Sequence, residues 1–364
     1  MAPRPILASL VTMTLSLGTR GQITPRAVTS IVDLPLSSAS DVNNAGQITG
    51  TILVGPTPHA ALLVDGAVRD LGALLDPGAT SYADRINASG QVLGHATIGA
   101  EEVAFIWSPD VPNGTSGTVG QLPSRTPDGA LIRFGALNDR GDAAGSTDSA
   151  TPGAVVWTNG QLVQLGSFWP DGYSQAFGIN NFGQVIGTAW NAIDADQHAF
   201  LWTPDVQNGT TGTMVDFSAI IDFVPGVGAD AINDRGQISG TTLFFGAFVW
   251  SPSSPNVSWG TMSWLGSMWA TTGINEQGQV LGWITVPSDP WMAVFHAALF
   301  MPDAGMLDLG PHDVGATQIS RPIALTDQRN GETRVLAVIS RNDGSAGPDR
   351  VVLYTIGRKP APQP

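Results

Sequence analysis

Gly178–Gly187 reads G-I-N-N-F-G-Q-V-I-G, and the rest of the 364-residue chain is organised around copies of this phrase. It appears as D-V-N-N-A-G-Q-I-T-G ending at Gly50, R-I-N-A-S-G-Q-V-L-G ending at Gly94 and A-L-N-D-R-G-D-A-A-G ending at Gly145. It returns as A-I-N-D-R-G-Q-I-S-G ending at Gly240 and G-I-N-E-Q-G-Q-V-L-G ending at Gly282. The repeated asparagines are Asn43, Asn87, Asn138, Asn180, Asn233 and Asn275, spaced 42 to 53 residues apart, and Thr326 stands in the slot of a seventh, worn copy. A period of this length marks a repeat architecture.

The phrase carries the chemistry of a tight hairpin. Asn bonds its own backbone two residues on, and the Gly three positions later supplies a left-handed conformation, as in a three-residue connection built on a type I turn. The aliphatic residue before Asn ends one strand, Q-V-x-G opens the next, and the closing Gly allows close backbone approach. Phe182 is expected at the exposed third turn position. These asparagines are read as turn residues, not as catalytic ones.

Each unit continues with an A-x-x-W strand, at Ala104–Trp107, Ala154–Trp157, Ala199–Trp202 and Ala247–Trp250, with weaker versions at Ala61–Val64, Ala297–Phe300 and Val351–Tyr354. A D-L-G step follows, at Asp70–Gly72 and Asp308–Gly310, with Gln164–Gly166 and Trp264–Gly266 as variants. Four short strands in 40–50 residues make one propeller blade. The chain ends on an A-x-x-W-type strand and opens, at Ile31–Pro35, on a D-L-G-type strand. Each end supplies what the other lacks, so an N-terminal strand is expected to complete the last sheet and hide its edge. The fold class is therefore all-β, a seven-bladed propeller over residues 23–357, with six blades or an open solenoid as alternatives.

Composition agrees. Gly (44) and Pro (26) are abundant, charged residues make up only 13%, and no window sustains helical periodicity. The net charge of −14, with Lys359 the sole lysine, argues against nucleic acid and anionic membrane as partners. There is no Cys, which removes disulfides, thiolate metal sites and a thiol nucleophile. Residues 1–22, with Arg4 before the apolar run Ile6–Gly18, resemble a secretory signal peptide. Residues 358–364 form a Pro-rich tail.

Taken together, the I-N-x-x-G-Q-V-x-G phrase, the His198-Ala199-Phe200-Leu201-Trp202 strand and the D-L-G step resemble the HAF-type extracellular repeats of bacteria. His59-Ala60 and His296-Ala297 match in part, and Asp142-Ala143 depart from the phrase. The resemblance implies an exported, propeller-like protein and offers no catalytic residues.

Few residues point to chemistry. His59, His198 and His296 share one repeat position in non-adjacent units, so they are read as structural and not as one metal site. The loops S-P-D-V-P-N-G-T from Ser108 and T-P-D-V-Q-N-G-T from Thr203 are hairpin signals. Their oxygen donors Asp110, Asn113 and Thr115, or Asp205, Asn208 and Thr210, offer a weak Ca²⁺ alternative, and otherwise no cofactor or metal is expected. The tryptophans outside the A-x-x-W slots all lie between residues 169 and 291. Trp169 and Trp269, at equivalent places in L-G-S-F-W and L-G-S-M-W, together with Trp190 and Trp283, are the candidate binding residues, with blade wedging as the competing role. The expected function is a non-enzymatic, monomeric, secreted module that binds glycan or protein. The alternative is a hydrolase or lyase acting on extracellular polysaccharide, with Asp residues converging at the central mouth.

Overall fold

The computed structural model describes residues 26–76, 78–149, 153–169, 172–190, 197–220, 226–254, 259–289, 292–310, 318–341 and 349–358. The proposed leader, the tail beyond Arg358 and Trp291 lie outside the described residues. Seven four-stranded antiparallel sheets form a seven-bladed propeller. β1 (Arg26–Asp33) is the outer strand of the last blade. The others run in chain order as β2–β5 (Ser38–Asp70), β6–β9 (Thr80–Gln121), β10–β13 (Leu131–Gly166), β14–β17 (Tyr173–Asp216), β18–β21 (Gly228–Trp264) and β22–β25 (Met268–Asp308). Blade 7 is β26 (Gln318–Leu325), β27 (Thr333–Arg341) and β28 (Arg350–Arg358), completed by β1.

The closure follows the expected register. Ile31 pairs with Tyr354 and Val32 with Leu353, so the first strand fills the place that β5 or β25 takes in its own blade. The worn seventh phrase still forms a blade, with an Asn330-Gly331 turn, both residues at positive φ, in place of the usual one.

The core sits between blades. Seven clusters of buried apolar residues occupy the seven blade interfaces. Along an A-x-x-W strand the period of two sends Ala and Trp to opposite faces. Trp107 packs toward blade 1 and Ala104 toward blade 3; Trp250 packs toward blade 4 and Ala247 toward blade 6. The Ala side approaches its neighbour closely, and its N–H is often taken by a serine hydroxyl across the seam, as Ala297 by Ser320 (2.8 Å) and Ala60 by Ser81 (2.9 Å). In blade 1 the slot thus falls on Ala60, one residue before the expected Ala61, which faces blade 7.

The innermost strands each carry a bulge just before the phrase, for example between Ala176 and Gly178. The bulge turns a backbone carbonyl onto the neighbouring strand, which explains the closing Gly. A Cβ on Gly187 would lie 1.9 Å from the Gln175 carbonyl oxygen, and one on Gly50 2.0 Å from that of Ser38.

Candidate functional site

Six copies of the phrase fold as expected. Gly183, at φ +82°, donates its N–H to the Asn180 carbonyl (3.0 Å), while Asn180 Oδ1 accepts from the N–H groups of Phe182 (3.1 Å) and Gln184 (3.0 Å). The Asn side chain also does something that a single hairpin cannot reveal. Its Nδ2 donates across the seam to the carbonyl of the next phrase, Asn43 to Asn87 (3.1 Å), Asn87 to Asn138 (3.0 Å) and Asn138 to Asn180 (3.1 Å). The chain of bonds continues from Asn180 to Asn233 (3.1 Å), Asn233 to Asn275 (2.9 Å) and Asn275 to Thr326 (3.0 Å). Within each phrase Nδ2 is also held by the Gln four residues on, a role that Asp142 takes over in blade 3.

A second belt runs beside the first, one residue further along. The N–H groups of Ala88, Asp139, Asn181, Asp234, Glu276 and Asp327 donate to side chains of the next blade at 2.7–2.8 Å, ending on Asn44. The asparagine belt is interrupted between blades 7 and 1, where Thr326 has no amide to extend. The Asn44–Asp327 pair covers that seam. The second belt is interrupted at blade 2, where Ala88 has no acceptor. There Asn43 Nδ2 bonds Asn87 and also Asn113 Oδ1 (2.9 Å).

Asn113 belongs to one of the two inserted loops. Its amide holds the Ala88 carbonyl (3.1 Å), and its own carbonyl accepts from Gln47 of blade 1 (3.1 Å). Asn208, in the matching loop, holds the Asn181 carbonyl (3.1 Å) and accepts from Asn159 of blade 3 (2.9 Å). Both loops are therefore clasps between blades. Of the amide oxygens offered as Ca²⁺ ligands, Asn113 Oδ1 accepts from Asn43, whereas Asn208 Oδ1 is buried with no hydrogen-bond partner among the described residues. The clasp also corrects the expectation for Phe182. It is half-buried, because Asn208 closes over it and donates its N–H to the Phe182 carbonyl (3.0 Å).

The belts ring the mouth of the central channel, a cavity of about 260 Å³. Aliphatic side chains, including Ile86, Ile179, Ile232 and Leu325, line it behind the polar ring. Five carboxylates, Asp41, Asp139, Asp234, Glu276 and Asp327, line it, each accepting a neighbouring blade's N–H. Burial pushes the Glu276 carboxyl above the usual carboxylate range, and the flanking Asp234 and Asp327 charges act in the same direction.

The shared histidines are structural pairs. His59 Nδ1 meets Asp70 (2.9 Å), His198 Asp216 (2.8 Å) and His296 Asp308 (2.9 Å). The Asp is that of the D-L-G step or its equivalent on the adjacent strand. Blades 2, 3 and 5 carry Val103, Gly153 and Gly246 in the histidine slot and Gln121, Gln164 and Trp264 opposite, so both members of the pair are lost together. That joint presence was a readable signal of contact.

The candidate tryptophans separate. Trp169 is half-buried and packs edge-on against His198 (5.3 Å between ring centroids) as a wedge between blades 3 and 4. Trp190 stacks on its cross-strand partner Tyr173 (5.5 Å, 25°). Trp269 is 59% exposed and sits at a bulge in β22. The expected equivalence of Trp169 and Trp269 does not hold in space. In blade 4 Asn180 follows Leu165 by 15 positions, where in blade 6 Asn275 follows Leu265 by 10, so one Trp falls in a connection and the other in a strand.

Trp269, Trp283 and Phe295 of blade 6 form one wall of a cleft of about 660 Å³; Leu243 and Thr242 of blade 5 and Gln197 of blade 4 supply the others. The cleft opens on the face opposite the channel mouth, at the end of the strands remote from the phrase. Beside it, Phe244 and Phe245 project from the same turn as Leu243, all three more than 60% exposed. Behind the floor, Asp230 accepts from the hydroxyls of Thr241 (2.9 Å) and Thr271 (2.6 Å), and burial raises its pKa.

No family model and no curated protein matches the chain. Solved structures do. The β-propeller domain of the Trilobed protease from Pyrococcus furiosus, described as having an open velcro topology, is similar at a TM-score of 0.50 and 10% identity, over 86% of this chain and 96% of that one. Prolyl oligopeptidase B from Galerina marginata is similar at a TM-score of 0.51 and 10% identity, over 93% of this chain and 52% of that one. At this identity the likeness establishes the propeller fold alone.

Proposed function

We propose that the protein is a non-enzymatic binding module, exported and built from HAF-like repeats, whose glycan or protein ligand docks in the aromatic cleft of blades 4–6. The observation that carries this is the contrast among tryptophans. Trp107, Trp202 and Trp250 are buried in blade seams, whereas Trp269 is largely exposed at a concave site with Trp283 and Phe295 beside it. Aromatic residues at concave sites are over-represented among the anchors of binding surfaces. The test is Trp269→Ala and Trp283→Ala, assayed on glycan arrays and by capture of peptide libraries. Loss of a ligand bound by the parent protein, with melting unchanged, is the expected result; ligands that bind both variants as well as the parent would retire the cleft.

A second reading, a hydrolase or lyase acting on extracellular polysaccharide, draws on the channel mouth. A carboxyl raised by burial among other carboxylates is a form that general acids take, and Glu276, flanked by Asp234 and Asp327, has it. Release of reducing ends from a polysaccharide, abolished in Glu276→Gln, would favour it. Against it stands the commitment of each of these carboxylates to a backbone N–H of the adjacent blade.

A further inference from the structure

We infer that the group received by the aromatic cleft is an organic cation of the quaternary or methylated ammonium class. This rests on the reading of the cleft as the binding site and names what enters it. Three independent features lead there.

The first is the shape of the aromatic wall. Trp283 and Phe295 pack edge to face, 6.3 Å between ring centroids at 85°, and Trp269, beside Ala270, the strand partner of Trp283, lines the same cleft. Ring faces carry the negative part of the aromatic quadrupole, so a cleft lined by three aromatic rings favours a compact cation over an anion.

The second is a scarcity of donors. Among the described residues, none that lines the cleft is a Lys, Arg or His. The two threonine hydroxyls are engaged inward, Thr241 donating to Asp230 (2.9 Å) and Thr242 to the Gly246 carbonyl (3.2 Å). Among the described lining residues the side-chain donors left are Gln197 and the indole N–H groups of Trp269 and Trp283. An anion would meet no cationic side chain among these residues. A methylated ammonium has few or no protons to place and needs no such partners.

The third is charge. Asp230 lies directly behind the floor, 3.6 Å from where a side chain on Gly228 would begin, and both Gly228 and Thr241 line the cleft. A carboxylate held away from water is costly, and a cation over the floor relieves part of that cost. The net charge of −14 draws cations toward the molecule as a whole.

The test is a binding titration of the full chain, read by tryptophan fluorescence and calorimetry, with choline chloride, a trimethyl-lysine peptide and its unmethylated form, phosphatidylcholine vesicles, and the neutral isostere 3,3-dimethyl-1-butanol. Binding of a cationic probe on the order of tenfold tighter than the isostere is expected, with a loss of similar size in Trp269→Ala and Trp283→Ala and a smaller one in Asp230→Asn. The three cationic probes distinguish a free solute, a protein side chain and a lipid headgroup as its source. Equal binding of choline and the isostere overturns the cation and keeps the cleft. A neutral glycan or unmethylated peptide bound through Trp269 in the absence of cation binding does the same. No Trp269-dependent binding of any probe, glycan or peptide overturns both readings. Far-ultraviolet circular dichroism of each variant guards against loss by unfolding, and Phe295→Leu supplies a milder change to the same wall.

Discussion

The two faces of the ring are built on opposite rules. At the channel mouth nearly the same residues recur in every blade, and their polar groups are tied to a neighbour: Asn to the next carbonyl, backbone N–H to the next side chain. On the far face the aromatic cleft uses residues that do not recur. Trp269, Trp283 and Phe295 have no counterparts in the other six blades; Trp269 and Phe295 are exposed and Trp283 is half-buried. Repetition here marks what holds the ring, and departure from repetition marks where the ring has something else to do.

That contrast can be broken at several strengths. Deleting residues 26–33 removes the outer strand of blade 7 and bares β28, so a loss of several kcal/mol, a large share of a typical domain's stability, is expected. A melting temperature and solubility equal to those of the intact chain would show that closure does not matter to the ring. Next in size, Trp250→Ala should cost about 3–5 kcal/mol as a fully buried Trp, while Trp269→Ala should stay within about 0.5 kcal/mol of the parent. Denaturant melts that give equal losses would erase the distinction between the two kinds of tryptophan.

At the mouth, Asn180→Ala strips the Phe182 and Gln184 N–H groups of their acceptor and leaves the Asn233 carbonyl with the Gly236 N–H alone, and about 1–3 kcal/mol should be lost. A neutral result in the same melts would mean that water replaces the belt. The smallest effect is one of pH. Burial raises the folded-state pKa of Asp41 and Asp230 above the unfolded value. Between those two values the folded protein holds protons that the unfolded chain has released. Their contribution is full below the unfolded pKa and is lost as pH rises through the folded one. Mild acidification from neutral into that window should therefore raise the melting midpoint slightly, and Asp41→Asn should reduce the rise. A midpoint that falls steadily from pH 7 would contradict the assignment.

Much of the fold was legible because a blade is mostly local. The turn at Asn180–Gly183, the Ala/Trp alternation of the third strand and the complementary chain ends each follow from residues close in sequence or from matching fragments. The belts were not legible, since Asn180 meets Asn233 only once blades 4 and 5 pack together, and nothing in a single hairpin asks where the amide points. Phe182 was misread for the same reason: its cover comes from Asn208 in a loop of the same blade but a different hairpin. The cleft was half legible. Trp269 and Trp283 stood out as unrepeated aromatics, but counting from Leu165 and Leu265 made Trp169 an equivalent of Trp269, and the extra residues of blade 4 undid that.

The pairing of β1 with β28 sets an order on assembly. As the chain is made, its first strand emerges more than 300 residues before its partner, with Arg26 finally reaching Gly331. Blades 1 to 6 can each complete a four-stranded sheet from contiguous chain, yet β1 must wait, its edge unsatisfied, until the last strand is made. A ribosome, or a translocation pore releasing the chain from its N-terminus, would therefore deliver an open arc with two sticky ends. The ring is sealed by its oldest and youngest segments meeting, and any factor that shields Arg26–Asp33 during that interval would govern yield more than rate.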